Sequence, residues 1–154
     1  MNQAHWHLVL NHASIFGALA GVLLLLAGLL GRRDAILAAG LWALVLAAAA
    51  GLPALLTGSG AAKVVGDMPR VSQALIQNHA QAARLGYYVL VGAATLALLC
   101  WLMFRQQAQR ARQLAWVTLL AAIVSFGLLA RSANLGGQIQ HPETREGFGT
   151  PDEL

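Results

Sequence analysis

The chain has 154 residues, 58% of them hydrophobic and only 10% charged, with a formal net charge of +4. A soluble domain carries about a quarter charged residues, so the composition excludes an ordinary water-soluble enzyme and marks an integral membrane protein. The basic balance does not mark a nucleic-acid binder, because the arginines cluster in short loops between apolar segments, where bilayer orientation accounts for them.

The N-terminus, MNQAHWHLVLNH, has no Lys or Arg. It lacks the positive n-region of a secretory signal, so the first apolar segment is expected to be retained. Four apolar segments follow in chain order, at 8–30, 35–56, 85–104 and 114–130. Each is near the roughly 20 residues that cross a hydrocarbon core as a helix. None shows the sustained period-two alternation of a barrel strand. The expected fold is all-α: an integral membrane four-helix bundle over residues 1–135, with 136–154 a C-terminal tail that ends in the polar, mobile EGFGTPDEL. Gly136 and Gly137 are expected to let the chain leave the fourth helix and fold back.

Within the first segment, Gly17, Gly21 and Gly28 lie on one stripe, which suits close helix packing. His5 and His12 share a different face. The lone cysteine, Cys100, lies in an apolar run and reads as a small core or lipid-facing residue. Between the second and third segments, LTGSGAAKVVGD reads as a Gly-rich turn and a short helix. PRVSQALIQNHAQAARLG then reads as a helix with a cap at Asp67, running into the third span and carrying His79 above it.

The loops GRRD and RQQAQRAR hold five of the ten basic residues, and Asp34 is their one acid. The positive-inside rule places them in the cytoplasm. Both termini and the 57–84 loop then face outward, which in a bacterial inner membrane is the periplasm. Trp6, Tyr87 and Tyr88 near the outer edge, with Trp101 and Trp116 near the inner one, suit the interfacial belts of such a protein.

In this topology all five histidines fall in one outer layer: His5, His7 and His12 on the first helix, His79 above the third, and His141 after the fourth. A single histidine at a membrane edge is ordinarily just an interfacial polar residue. His12, His79 and His141 together point to a shared metal or haem, since imidazole is the commonest metal ligand and the usual axial ligand of b-type haem. Glu143, two residues after His141, is a ligand, an acceptor holding an imidazole tautomer, or a solvated glutamate. Arg84 and Arg131, at the outer ends of the third and fourth helices, pair with haem propionates or snorkel to lipid phosphate.

The blocks HLVLNHASIFG, PALLTGSGAAKVV, PRVSQALIQNHAQAA and LGGQIQHPE resemble, in order, an uncharacterised family of small bacterial four-helix membrane proteins. Its pattern runs HLxxNHxP, TGxxAExxVE, GVSExxIxxHE, GGxIRHxE. The resemblance covers nearly the whole chain and implies His7, His12, His79 and His141, with Glu143, as the family's polar positions. This chain departs from the pattern at Ser14, Ala62, Gly66 and Ala80, so the acids of the second and third blocks have no counterpart. The resemblance implies architecture and candidate ligands rather than a reaction.

Three functions compete. The first is a b-type haem protein that transfers electrons at the outer face, with His12 and His79 as axial ligands and quinone or a periplasmic redox protein as partner. The second is a non-haem copper, zinc or iron site built from His7, His12, His79, His141 and Glu143. The third is a cofactor-free subunit of a larger membrane complex or a homo-oligomer. No nucleophile elbow, phosphate-binding glycine loop or HExxH motif marks an enzyme.

Overall fold

A computed structural model describes residues 2–69, 71–104 and 106–145. Four long helices run through it: α1 (Gln3–Leu30), α2 (Asp34–Gly66), α3 (Gln73–Phe104) and α4 (Ala108–Gln140). Each is long and apolar enough to cross a membrane. A 33-residue helix such as α2 or α4 is about 50 Å long, well beyond the roughly 30 Å of a hydrocarbon core. The helices therefore project past the apolar segments seen in the sequence.

The extra length replaces irregular chain expected between the spans. Residues 57–66, read as a Gly-rich turn and a short helix, continue α2 without a break. Residues 73–84 do run directly into the third apolar segment, as the sequence suggests. Asp67 ends α2 rather than starting α3; the hydroxyl of Ser72 accepts the Leu75 N–H at 3.4 Å and starts α3. Gly136 and Gly137 do not release the chain from α4. Both lie inside it, and the helix stops at His141, followed by the one-turn segment Pro142–Thr144. The remainder of the expected tail, 146–154, lies outside the described residues.

A seven-residue repeat accounts for how the four helices pack. His7, Ser14, Gly21 and Gly28 form one stripe of α1. Leu37, Leu44, Gly51 and Gly58 form one of α2, His79, Gly86, Ala93 and Cys100 one of α3, and Ala111, Thr118, Ser125 and Ser132 one of α4. The central members of each stripe are buried. A strict seven-residue spacing keeps one seam facing its neighbours as helices wind around each other. The outward faces are also apolar, with Leu8, Phe16, Leu46, Leu56 and Leu120 more than half exposed. A helix apolar all round is what a lipid surround permits.

α1 and α2 form one tight hairpin. A Cβ at Gly28 would meet the Leu37 backbone nitrogen at 2.5 Å, and one at Gly40 the Leu25 nitrogen at 2.7 Å. The glycine stripe therefore does pack, as its spacing implies: Gly17 against Ala47, Gly21 against the Leu44 side chain and Gly28 against the Leu37 backbone. α3 and α4 form the second hairpin. Ser125 donates to the Gly86 carbonyl at 3.0 Å, and the Cys100 thiol to the Ala111 carbonyl at 3.0 Å. Cys100 is thus a core residue.

The bundle has two unlike ends. One holds the α1–α2 and α3–α4 turns with Arg32, Arg33, Arg110 and Arg112, and Arg112 there pairs with Asp34 across the hairpins. The other holds His7, His79 and His141, and the α2–α3 connection. They are called here the arginine end and the histidine end.

Candidate histidine site

Two histidines meet where the hairpins meet. His7, four residues into α1, and His79, six residues into α3, have ring centroids 6.2 Å apart and planes at 89°. Each is half-buried and anchored to the other helix of its own hairpin. His7 Nδ1 lies 2.9 Å from the Ala54 carbonyl of α2. His79 Nδ1 lies 2.8 Å from the Ser132 carbonyl of α4.

These anchors decide the tautomers. A carbonyl oxygen only accepts, so Nδ1 of each ring must carry the proton and donate it. Nε2 of each ring is then left with its lone pair. A ring nitrogen fixed in this way is the arrangement in which a histidine serves as a ligand.

Other polar groups surround the pair. Thr57 Oγ1 donates to the Pro53 carbonyl at 2.8 Å and stands 3.4 Å from His7 Nδ1. The Ser132 hydroxyl donates to the His79 carbonyl at 3.3 Å while its own carbonyl holds the ring. Glycines leave room for both imidazoles: a Cβ at Gly136 would come to 3.1 Å from His79 Cε1 and Nδ1, and one at Gly58 to 3.5 Å from His7 Cε1. One turn from His7 along α1, Asn11 Oδ1 is buried and has no partner among the described residues. Buried carbonyl oxygens are nearly always satisfied, so this one marks a place for a donor.

The remaining residues singled out in the sequence lie elsewhere. His12 is exposed; its Nδ1 donates to the Leu8 carbonyl of its own helix at 3.0 Å, and its ring stacks on Phe16 at 6.2 Å. The ring that meets His79 is therefore His7, not His12. Five residues separate these two on α1, which turns them about 140° apart. His141 is also exposed and faces its neighbour Glu143, Nδ1 to Oε1 2.9 Å. The Glu143 backbone N–H, and then the His141 side chain, hold the Glu143 carboxyl below its ordinary value. Among the described residues, no three His, Cys, Asp or Glu side chains converge on a point that could hold an ion. Arg84 and Arg131 are exposed. Arg84 sits about 140° round α3 from His79, and Arg131 about 100° round α4 from Ser132, so neither shares the face of the histidine pair.

The family model for "Predicted membrane protein (DUF2231)" matches residues 4–143. The chain belongs to the DUF2231 family. That match runs from just before His5 to Glu143, and takes in every histidine and all four helices but for the first residue of α1. No curated protein and no solved structure matches the chain.

Sequence reasoning missed Asn11, Thr57 and Ser132, and ranked His7 behind His12. One signal was available: His7 lies seven residues before Ser14, and that position seven before Gly21, on the stripe whose glycines already pointed to packing. Ser132 is found the same way, counting back by sevens to Ser125 and Thr118.

Proposed function

We propose that this membrane protein binds a b-type haem at the junction of its two hairpins, where His7 and His79 would hold it, and transfers electrons there. The observation that supports this is the pair of neighbouring imidazoles, each fixed by a carbonyl through Nδ1. Their ring centroids are 6.2 Å apart with planes at 89°, and the Nε2 atoms, which keep their lone pairs, would be the ones to hold the group. Two protein ligands suit a haem, whose macrocycle supplies the other four donors, better than a bare ion that needs three or four side chains. The other candidate metal ligands, His12, His141 and Glu143, are not gathered with the pair, which weighs against the non-haem alternative.

When bound, the haem would supply a one-electron couple. The protein's own residues do the rest. The Ala54 and Ser132 carbonyls orient the two rings and hold their tautomers. Gly58 and Gly136 give the rings space. Asn11 offers an acceptor to a donor lodged in the junction. By the charge bias of the loops the arginine end lies in the cytoplasm, which turns the histidine site toward the periplasm, within reach of quinone in the bilayer or a periplasmic redox protein.

The test is an absorption spectrum of the detergent-purified protein, air-oxidised and then reduced with dithionite. The expected result is a Soret band that sharpens and shifts on reduction, with resolved α and β bands. His7→Ala and His79→Ala each remove that spectrum, while His12→Ala and His141→Ala keep it. A featureless visible region in protein supplied with haem overturns the proposal, and elemental analysis of the same sample then separates a bare ion from no cofactor.

A further inference from the structure

A second feature of the histidine end stands apart from the imidazole pair. A cavity of about 160 Å³ opens between α3 and α4, lined by Asn78, Gln81, Ala82, Leu85, Leu128 and Arg131. Asn78 lies about 100° round α3 from His79, and Arg131 about 100° round α4 from Ser132, so the cavity is on a different side of the hairpin.

Its lining changes character along the helices. On α3, Asn78 and Gln81 come first, and Ala82 and Leu85 follow toward the middle of the bundle. On α4, which runs the other way, Arg131 lies nearer the end and Leu128 one turn deeper. Both helices therefore pass from polar to apolar at the same level. Leu85 is 54% exposed, so the apolar side opens outward rather than into the core.

The polar side is rich in donors and holds no acid. Arg131, Asn78 and Gln81 make no hydrogen bond or ion pair with any described residue. A guanidinium and two side-chain amides around one cavity, with no carboxylate in the lining, call for an anion with several oxygen acceptors. Guanidinium matches phosphate oxygens in a two-pronged pairing. The volume is below the roughly 300 Å³ at which pockets for whole small molecules begin. It suits a head fragment whose tail lies outside, along the helix face.

We propose that this groove binds the phosphodiester headgroup of a membrane glycerophospholipid, with Arg131 on the phosphate, Asn78 and Gln81 on its oxygens, and an acyl chain against Leu85 and Leu128. This inference does not rest on the haem reading, and its readout is bound lipid rather than a spectrum.

The test is native mass spectrometry of the full-length protein in detergent, titrated with dioleoylphosphatidylglycerol. Dioleoylglycerol carries the same tails without phosphate, and glycerol phosphate the head without tails. The phospholipid is expected to bind as a discrete adduct, with both controls at least about tenfold weaker. Arg131→Gln is expected to weaken phospholipid binding about tenfold, and Arg131→Lys to recover only part of it. Arg84→Gln, an exposed arginine on the same helix pair but outside the cavity, leaves binding unchanged. Equal losses in Arg131→Gln and Arg84→Gln reveal a general basic surface and overturn the proposal. Binding of dioleoylglycerol or of glycerol phosphate as tight as that of the phospholipid overturns it too.

Discussion

Glycine does opposite work at the two ends of this bundle. Toward the arginine end, Gly28 is pressed against the Leu37 backbone, with three backbone and Cβ atoms inside 3 Å of where its own Cβ would stand. At the histidine end, Gly58 and Gly136 face imidazole rings, and Gly137 faces nothing within 4 Å. The first end is closed by main chain against main chain, which cannot yield. The second is closed by side chains that a bound group could reposition. The contrast extends to the polar groups: an arginine–carboxylate pair links the hairpins at one end, carbonyl-anchored histidines lie at the other.

Substitutions can break this comparison or sharpen it. Gly28→Ala should have the largest effect on stability, costing about 2–3 kcal/mol because no flexible atom can move aside; thermal unfolding in detergent measures it. A loss under half a kcal/mol would mean the hairpin is looser than described. Gly136→Ala should act differently. Its Cβ meets only the His79 ring, so stability changes by less than about 1 kcal/mol while haem affinity, read by titrating the Soret band, falls several-fold. A large stability loss with unchanged haem affinity would remove the distinction between the ends.

Arg32→Gly is expected to stabilise the arginine end. Arg32 has φ +50°, and the Arg33 N–H reaches back to the Gly28 carbonyl at 2.9 Å. This is the left-handed helix ending at which glycine is preferred, so the gain is about 0.5–1 kcal/mol in the same unfolding assay. Gly137→Ala should be mildly stabilising, by up to about 1 kcal/mol, since the new methyl meets nothing and helix propensity improves. Asp34→Asn should matter least. The pair it makes with Arg112 is exposed on the carboxylate side, with Asp34 at 66%, and surface pairs contribute about 0–1 kcal/mol. A loss above that range would make the pair a structural clamp between the hairpins.

The site was partly legible before the fold was known. The layer of histidines at one end followed from counting spans, and His79 above the third apolar segment followed from its continuous helix. His12 was favoured over His7 because it lies nearer the apolar segment, where an ionisable group is costly. The structure shows another way to meet that cost: His12 turns outward and donates to Leu8 of its own helix. His141 and Glu143, two residues apart, bond to each other and stay exposed, so their nearness in sequence did not bring them into the layer.

Length and composition by themselves determined four apolar helices, the close packing of the Gly17–Gly28 stripe and the grouping of histidines at one end. Each depends on local spacing and on the thickness of a bilayer, which a sequence records directly. Which histidines meet, which carbonyls hold them and which arginine borders a cavity were decided by the tertiary structure alone. In helices apolar on every face, the hydrophobic pattern does not say which side meets a neighbour. That choice falls to the rotation of each helix within the bundle, set by glycines and serines seven residues apart on four separate segments.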